Sequence, residues 1–189
     1  MQKWEKFLDE CIREIAREDI VLDIGSGHPF QKEMEKYKGS FTASKYYGLD
    51  YNSSYHPDVV GDIHNLPFKD SSVGAIICKA VLEHTPEPQR AVSEMHRVIR
   101  KGGKIFAYVP FLHSYHSAEN YKDYYRFTKD GVKYMFRHFA EVKIVEVRGY
   151  CATLCLFLPL AKYLAPLANF LDRFTGYGVT SGYNIFVIK

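Results

Sequence analysis

"VLDIGSGHPF", residues 21–30, decides how the chain is read. An apolar, β-branched run carries one acid, Asp23, and passes straight into Gly25-Ser26-Gly27. "IVLDI" (20–24) is short and apolar enough to be a strand buried on both faces. Glycines just beyond such a strand permit positive φ and let a ligand approach where a Cβ would stand in the way. Gly-x-Gly alone is a weak signal. It gains weight from its place between a strand and a helix, and from an acid about 25 positions on, near the spacing expected of ribose binding. That acid is Asp50, which ends "YYGLD".

Pro29 narrows the choice of ligand. A dinucleotide presents a pyrophosphate, which is held by backbone N–H groups at a helix N-terminus. Proline has no N–H and fixes its own φ, and it biases His28 toward an extended backbone. The third glycine of a dinucleotide fingerprint is missing as well, since position 30 is Phe. A nucleoside cofactor without phosphates loses little from either change.

Around this loop, strand-like and helix-like segments alternate. Strands are expected at 20–24, 45–50, 58–62, 73–79, 104–110, 141–149 and 183–189. "TPEPQRAVSEMHRVIRKGG" (85–103) reads as a helix, with Val92, Met95, Val98 and Ile99 on one face and Gly102 and Gly103 as its stop. Thr128 is placed to cap a further helix over 129–139. Residues 1–19 form an amphipathic helix, with Trp4, Phe7, Leu8, Cys11, Ile12 and Ile15 on its apolar side. This helix either packs on the domain or caps a pocket. The alternation predicts one α/β domain over 1–189: a doubly wound, Rossmann-like, mostly parallel seven-stranded sheet with a reversed last strand.

Composition removes several classes. The 189 residues suit one domain with a full core, and 47% apolar with 25% charged residues is a globular mix. A net charge of +3 is too small to argue for nucleic acid. The four cysteines make no Cys-x-x-Cys pair, so free thiols in a reducing cytoplasm are expected and no zinc site or other metal is foreseen. The N-terminus has no signal-peptide core.

With these motifs in place, the chain resembles the class I S-adenosylmethionine-dependent methyltransferases, in particular the type 11 methyltransferase domain group, over residues 20–148. "VLDIGSGHP" is similar to the family's first motif, Asp-x-Gly-x-Gly-x-Gly, and departs from it at Pro29. "YYGLDY" resembles the second-strand motif. The segment 61–110 resembles the family's Gly-Asp…Leu-Pro-Phe, Leu-Glu-His and Leu-Lys-Pro-Gly-Gly blocks in order, with Lys101 where Pro is common. The resemblance implies S-adenosyl-L-methionine as cofactor and a set of roles. Asp23 would orient the loop and help hold the amino group. The backbone of Gly25 and Gly27, with Ser26 between them, would pass over the methionine portion. Asp50 would hold the ribose, and Tyr51 would lie against the adenine. Asp62 would accept from the adenine amine as a buried carboxylate, with Ile63 packed on the ring. Lys79 and Ala80 would face the sulfonium side.

Acceptor chemistry is expected in "PFLHSYHSAENYKDYYRFT" (110–128), a loop rich in His, Tyr and Arg at a strand end. A base is optional for methyl transfer. Where one is needed, His113 is the first candidate and His116 the second. His84, Tyr115, Tyr124, Tyr125 and Arg126 are candidate substrate residues. His84 could equally shape the cofactor pocket or cap the next helix. Arg126 could meet an anionic acceptor or pair with Asp123 or Asp130. "DYYRFT" resembles a block in methyltransferases encoded near bacterial polysaccharide genes, which implies a small-molecule or glycan-linked acceptor. No Asn-Pro-Pro-Tyr-like block follows the fourth strand, where "CKAV" stands, so nucleic-acid bases are not expected acceptors.

"CATLCLFLPLAKYLAPLANFL" (151–171) is nearly all apolar. A membrane span there would put 141–149 and 183–189 on opposite sides of the bilayer, although both read as strands of one sheet. The region 150–182 is therefore read as an apolar insertion. It would serve as a lid over the pocket, as a homodimer interface, or as a peripheral membrane contact recruiting a lipid-linked substrate. A non-catalytic cofactor-binding regulator and a nucleotide-dependent oxidoreductase remain as competing readings.

Overall fold

The computed structural model describes residues 2–28, 30, 32–159, 161–175 and 178–189. Pro29, the residue on which the choice against a dinucleotide rested, lies outside them. The helix α1 (Lys3–Ile15) leads into β1 (Ile20–Ile24) and a 3-10 segment, Lys32–Phe41. Next come β2 (Lys45–Asp50), β3 (Val59–Val60) and β4 (Val73–Lys79). The second half runs α2 (Pro88–Val98), β5 (Ile99–Pro110), α3 (Lys129–Met135), β6 (Glu141–Val147), α4 (Tyr150–Cys155), α5 (Ala161–Leu171) and β7 (Gly182–Ile188).

The seven strands form one sheet in the order β3-β2-β1-β4-β5-β7-β6. Strands β1 to β5 pair in parallel, while β7 runs antiparallel between β5 and β6. This is the doubly wound sheet with a reversed last strand that the sequence predicts. The strand order turns at β1 and β4, so the ends of these strands and of β2 open the crevice in which such folds bind ligands.

Both faces of the sheet are covered, which is why the central strands are continuous apolar runs. On one face Leu22, Ile76 and Ile105 pack with Val92, Met95 and Val98 of α2 and with Phe136. On the other, Leu8, Ile12 and Ile15 of α1 meet Val21, Ile77 and Phe106. No described residue of α1 lines the candidate cavity; the helix covers the sheet and leaves the pocket open.

Several expected boundaries move. Helix α2 stops at Val98, and Ile99 turns extended and pairs with Val73. Ile99 is fully buried there, so the sheet takes the residues that the sequence assigns to a basic last helical turn. Gly102 and Gly103 occupy a register shift in β5 and do not end a helix. Gly102 has φ +74°, and a Cβ on Gly103 would press on the Gly74 carbonyl at 2.8 Å. Strand 58–62 shortens to Val59–Val60, 141–149 ends at Val147 ahead of Arg148 with φ +63°, and the helix begun by Thr128 ends at Met135. Thr128 does cap it, accepting from Gly131 N at 3.1 Å. All four cysteines are free thiols.

Candidate active site

The glycine loop is held by the end of β2. Gly25 N and Ser26 N donate to the Leu49 carbonyl at 2.7 and 3.3 Å, and Gly27 N donates to Asp50 Oδ2 at 3.0 Å. Three successive loop donors are thus engaged by the protein itself, the last by a carboxylate. A pyrophosphate laid over this loop would meet engaged N–H groups and a neighbouring negative charge, the reverse of an anion site. Gly25 and Gly27 have φ +67° and +53°. A Cβ on Gly25 would collide with Val81 Cγ2, so the residue is required both for its backbone angle and for the closeness of the β4 exit.

Beyond the loop lies a cavity of about 390 Å³, within the roughly 300–1,000 Å³ usual for small-molecule sites. Ile24, Leu49, Ile63 and Val81 give it apolar walls, Asp50 and Asp62 supply carboxylates, and Tyr121 and Tyr124 close the far side. Asp50 is buried, and its Oδ1 accepts from Asn52 N at 2.9 Å. Each oxygen therefore keeps a lone pair for a further donor. Tyr51 lines the cavity and is 60% exposed, with its phenol face unclaimed by the core.

Asp62 also lines the cavity, but the expectation of a buried carboxylate is corrected: its side chain is 64% exposed. What holds it is His64, whose backbone N–H donates to Oδ1 at 2.9 Å and whose Nδ1 stands 2.6 Å away. Slight burial opposes ionisation, yet the bonds from His64 keep the carboxyl below its ordinary range.

Asp23 stands behind the loop and does not line the cavity. Its carboxylate accepts from Tyr46 Oη. Burial pushes its pKa up to about 7, against the pull of the Tyr46 bond and of Lys79. Ser26 Oγ is buried without a hydrogen-bond partner among the described residues, an orphan at the rim of the loop. Lys79 and Ala80 end β4 outside the cavity lining, with Ala80 at φ +57° and its N–H donating to the Tyr108 carbonyl.

The loop 113–126 folds onto the exit of β4. Tyr124 N and Tyr125 N donate to the Glu83 carbonyl at 2.8 and 3.3 Å, and Tyr125 Oη donates to the Pro86 carbonyl. Asp123 is its clamp. It accepts from His116 N and from both terminal nitrogens of Arg126, and this ion pair holds its carboxyl well below the usual range. Arg126 also donates to the carbonyls of His113 and Ser114. The guanidinium is thus committed to bracing the loop through Asp123, not Asp130, and is not presented to an anionic acceptor.

Of the other loop candidates, His84 and Tyr124 reach the cavity; His113, His116, Tyr115 and Tyr125 do not line it. Tyr115 is 74% exposed and points to solvent. His113 Nδ1 faces the Ser114 carbonyl, and its ring lies 5.0 Å from that of His116. His116 turns inward instead, to Glu83 and His84. Glu83 is a site residue that sequence reasoning passed over, and Tyr121 one that it counted only within the 110–128 loop. Tyr121 was visible only as one aromatic among many, and its ring sits 4.5 Å from that of His84. Glu83 is 1% exposed, and burial raises its pKa to about 7. The signal for it was an acid beside His84, directly beyond a buried strand.

The geometry can be set beside known proteins. Residues 22–107 match the family described as "Methyltransferase domain". A protein of Encephalitozoon cuniculi that carries a methyltransferase name is 34% identical over 116 residues, 55% of this chain and 50% of the relative. The demethylmenaquinone methyltransferase of Renibacterium salmoninarum is 31% identical over 104 residues, 46% of this chain and 44% of that one. The chain spans about half the length of these relatives. Among solved structures, an S-adenosylmethionine-dependent methyltransferase from Archaeoglobus fulgidus superposes with a TM-score of 0.66 at 18% identity, covering 98% of this chain and 93% of that one. The S-adenosylmethionine complex of a phosphoethanolamine N-methyltransferase from Haemonchus contortus gives 0.62 at 14% identity, covering 98% and 52%. The fold is that of the S-adenosylmethionine-dependent methyltransferases, and the glycine loop and β2 acid fall within the segment that matches the methyltransferase domain. The family match is confined to residues 22–107, just under half of the chain, and the Haemonchus contortus neighbour holds S-adenosylmethionine.

The chain's residues fit that cofactor. An orphaned Ser26 Oγ, a glycine where a Cβ is excluded, and a ribose-competent Asp50 next to apolar walls suit an adenosine with a charged amino-acid tail.

Proposed function

We propose that the protein transfers a methyl group from S-adenosylmethionine to a small-molecule or glycan-linked acceptor that enters beneath the 113–126 loop. The observation that carries this reading is the use of the Gly25, Ser26 and Gly27 N–H groups by Leu49 and Asp50, which leaves a nucleoside site without a phosphate cradle. Bound S-adenosylmethionine supplies an activated methyl group. The protein's share is to bind, to align and to exclude water. Asp50 takes the ribose hydroxyls, Ile63 and Tyr51 flank the base, and Asp62 with His64 meets its amine. Tyr121, Tyr124 and His84 form the acceptor side.

His84 and His116 replace His113 as the proton-handling pair, because His84 lines the cavity and His116 packs against it. His84→Ala is expected to lower turnover by about a hundredfold where the acceptor must lose a proton, and His113→Ala to leave it near the parent value. Release of S-adenosylhomocysteine over a panel of sugars and glycosides reads both. A panel that yields no product, with the cofactor bound, favours the competing reading of a non-catalytic cofactor-binding protein.

The apolar insertion does not serve as a lid in this reading, since no described residue of 150–175 lines the cavity. Among the described residues no helix is long and apolar enough to cross a membrane. Leu154, Phe157, Leu158, Leu167 and Phe170 are each about half exposed, an apolar surface suited to lying on a membrane and keeping a lipid-linked acceptor near. Co-sedimentation with anionic vesicles should fall when Phe157 and Phe170 become serine. Vesicle binding that is absent at low salt contradicts this part, and a concentration-dependent dimer lost in the same variant assigns the surface to a second copy.

A further inference from the structure

We propose that Glu83, His84 and His116 form a binding site for a divalent transition-metal ion at the edge of the acceptor cavity. The three come from the turn after β4 and from the loop after β5, and their ligand atoms all lie within 4.8 Å of one another. Glu83 Oε1 stands 3.9 Å from His84 Nε2 and 4.0 Å from His116 Nε2. Ligands bound at about 2.0–2.1 Å in a tetrahedron stand about 3.3 Å apart, so the two edges from Glu83 need to close by about 0.6–0.7 Å and the third edge by no more than about 1.5 Å.

Ring orientation is the first support. His84 Nδ1 lies 2.7 Å from the Lys122 carbonyl, and His116 Nδ1 lies 3.0 Å from the Ser114 carbonyl and 3.3 Å from Asp123 Oδ2. The carbonyls and the carboxylate are acceptors, so they favour the proton on Nδ1 in both rings, which leaves each Nε2 lone pair to the cluster. Metal-ligating histidines are held in the same way, with the far N–H given to a carbonyl or carboxylate. Arg126 Nη2 is a donor 3.4 Å from His116 Nδ1, and Asp123 already engages it.

The second support is independent of the rings. Glu83 is 1% exposed, yet its Oε2 has no hydrogen-bond partner among the described residues. A buried carboxylate oxygen without a donor is costly, and a cation that the Glu83 carboxylate holds through both oxygens removes the cost. Two imidazoles and one carboxylate suit zinc, cobalt, manganese or iron(II) over magnesium or calcium, and a three-ligand set leaves positions open. His84 lines the cavity, so an open position on its side would take an acceptor oxygen, and in the metal-loaded form the ion would acidify that oxygen in place of the free histidine base. That use rests on the proposed function; the binding of the ion does not.

The test titrates tag-free, chelator-treated full-length protein with cobalt(II), following the visible band of low-coordinate cobalt and its loss on adding zinc. One saturable equivalent is expected, weakened more than about tenfold in both Glu83→Gln and His116→Ala. No saturable equivalent, undiminished binding in both variants, or loss in one alone overturns the three-ligand site. Titration of the same samples with S-adenosylmethionine confirms that the variants are folded. It also separates the two readings. Cofactor binding without metal binding ends this inference alone. Metal binding without cofactor binding ends the proposed function and leaves the metal site standing.

Discussion

Gly25 combines a backbone angle that favours glycine with a neighbour that leaves no room for a Cβ. Gly25→Ala should cost about 1–2 kcal/mol from the left-handed backbone alone, before the clash with Val81 is counted. Adding Val81→Ala should restore the space but not the angle, so the double variant recovers only part of the loss in a denaturant titration. Full recovery would mean that the angle is free to relax. Asp23 yields a pH dependence. Its folded pKa, about 7, lies above the ordinary carboxylate value of 3.8. The folded state therefore holds a proton that the unfolded chain has lost, and stability contributed below pH 4 drains away as pH rises toward 7. Asp23→Asn should flatten this slope, with an upper bound on the order of 4 kcal/mol. Parallel stability profiles of parent and variant from pH 4 to 8 would refute the assignment. These two residues also show what the sequence could and could not carry. Asp23, Gly25 and Asp50 were legible because chemistry and spacing coincide along the chain. The bond from Gly27 N to Asp50 Oδ2 was not legible, because it depends on the register between β1 and β2.

At the scale of elements, the strands were legible because buried parallel strands are apolar without interruption. The end of α2 was not. Val98 and Ile99 fit a helical face and a strand equally well, and only the pairing of Ile99 with Val73 settles which wins. The loop 113–126 was recognised by composition, yet its inward residues were misjudged. Asp123 draws Arg126 into the loop and sets His116, not His113, facing Glu83. Within the insertion Asp172, just after α5, accepts from the N–H groups of Gly149, Cys151 and Ala152 at the start of α4. Asp172→Ala should loosen the α4–α5 pair by about 0.5–2 kcal/mol, as the loss of a helix cap does. Faster amide exchange confined to 150–175, with cofactor affinity changed by less than about twofold, is the expected pattern. A matching loss of cofactor binding would show that the insertion supports the cavity.

For the whole molecule, sheet order and cofactor site agree. The turn in strand order at β1 and β4 places the glycine loop, Asp50 and the exit of β4 around one crevice, and the loop after β5 roofs it. The reversed β7 closes the sheet by pairing β5 and β6. The central claim is that this crevice takes a nucleoside cofactor and no pyrophosphate. Calorimetric titration of the full chain with S-adenosylmethionine, S-adenosylhomocysteine and NADH tests it most directly, with Asp50→Ala as the control. One equivalent of each of the first two should bind, with no heat from NADH and a loss of affinity of at least about tenfold in Asp50→Ala. Saturable NADH binding with S-adenosylmethionine silent would contradict the account.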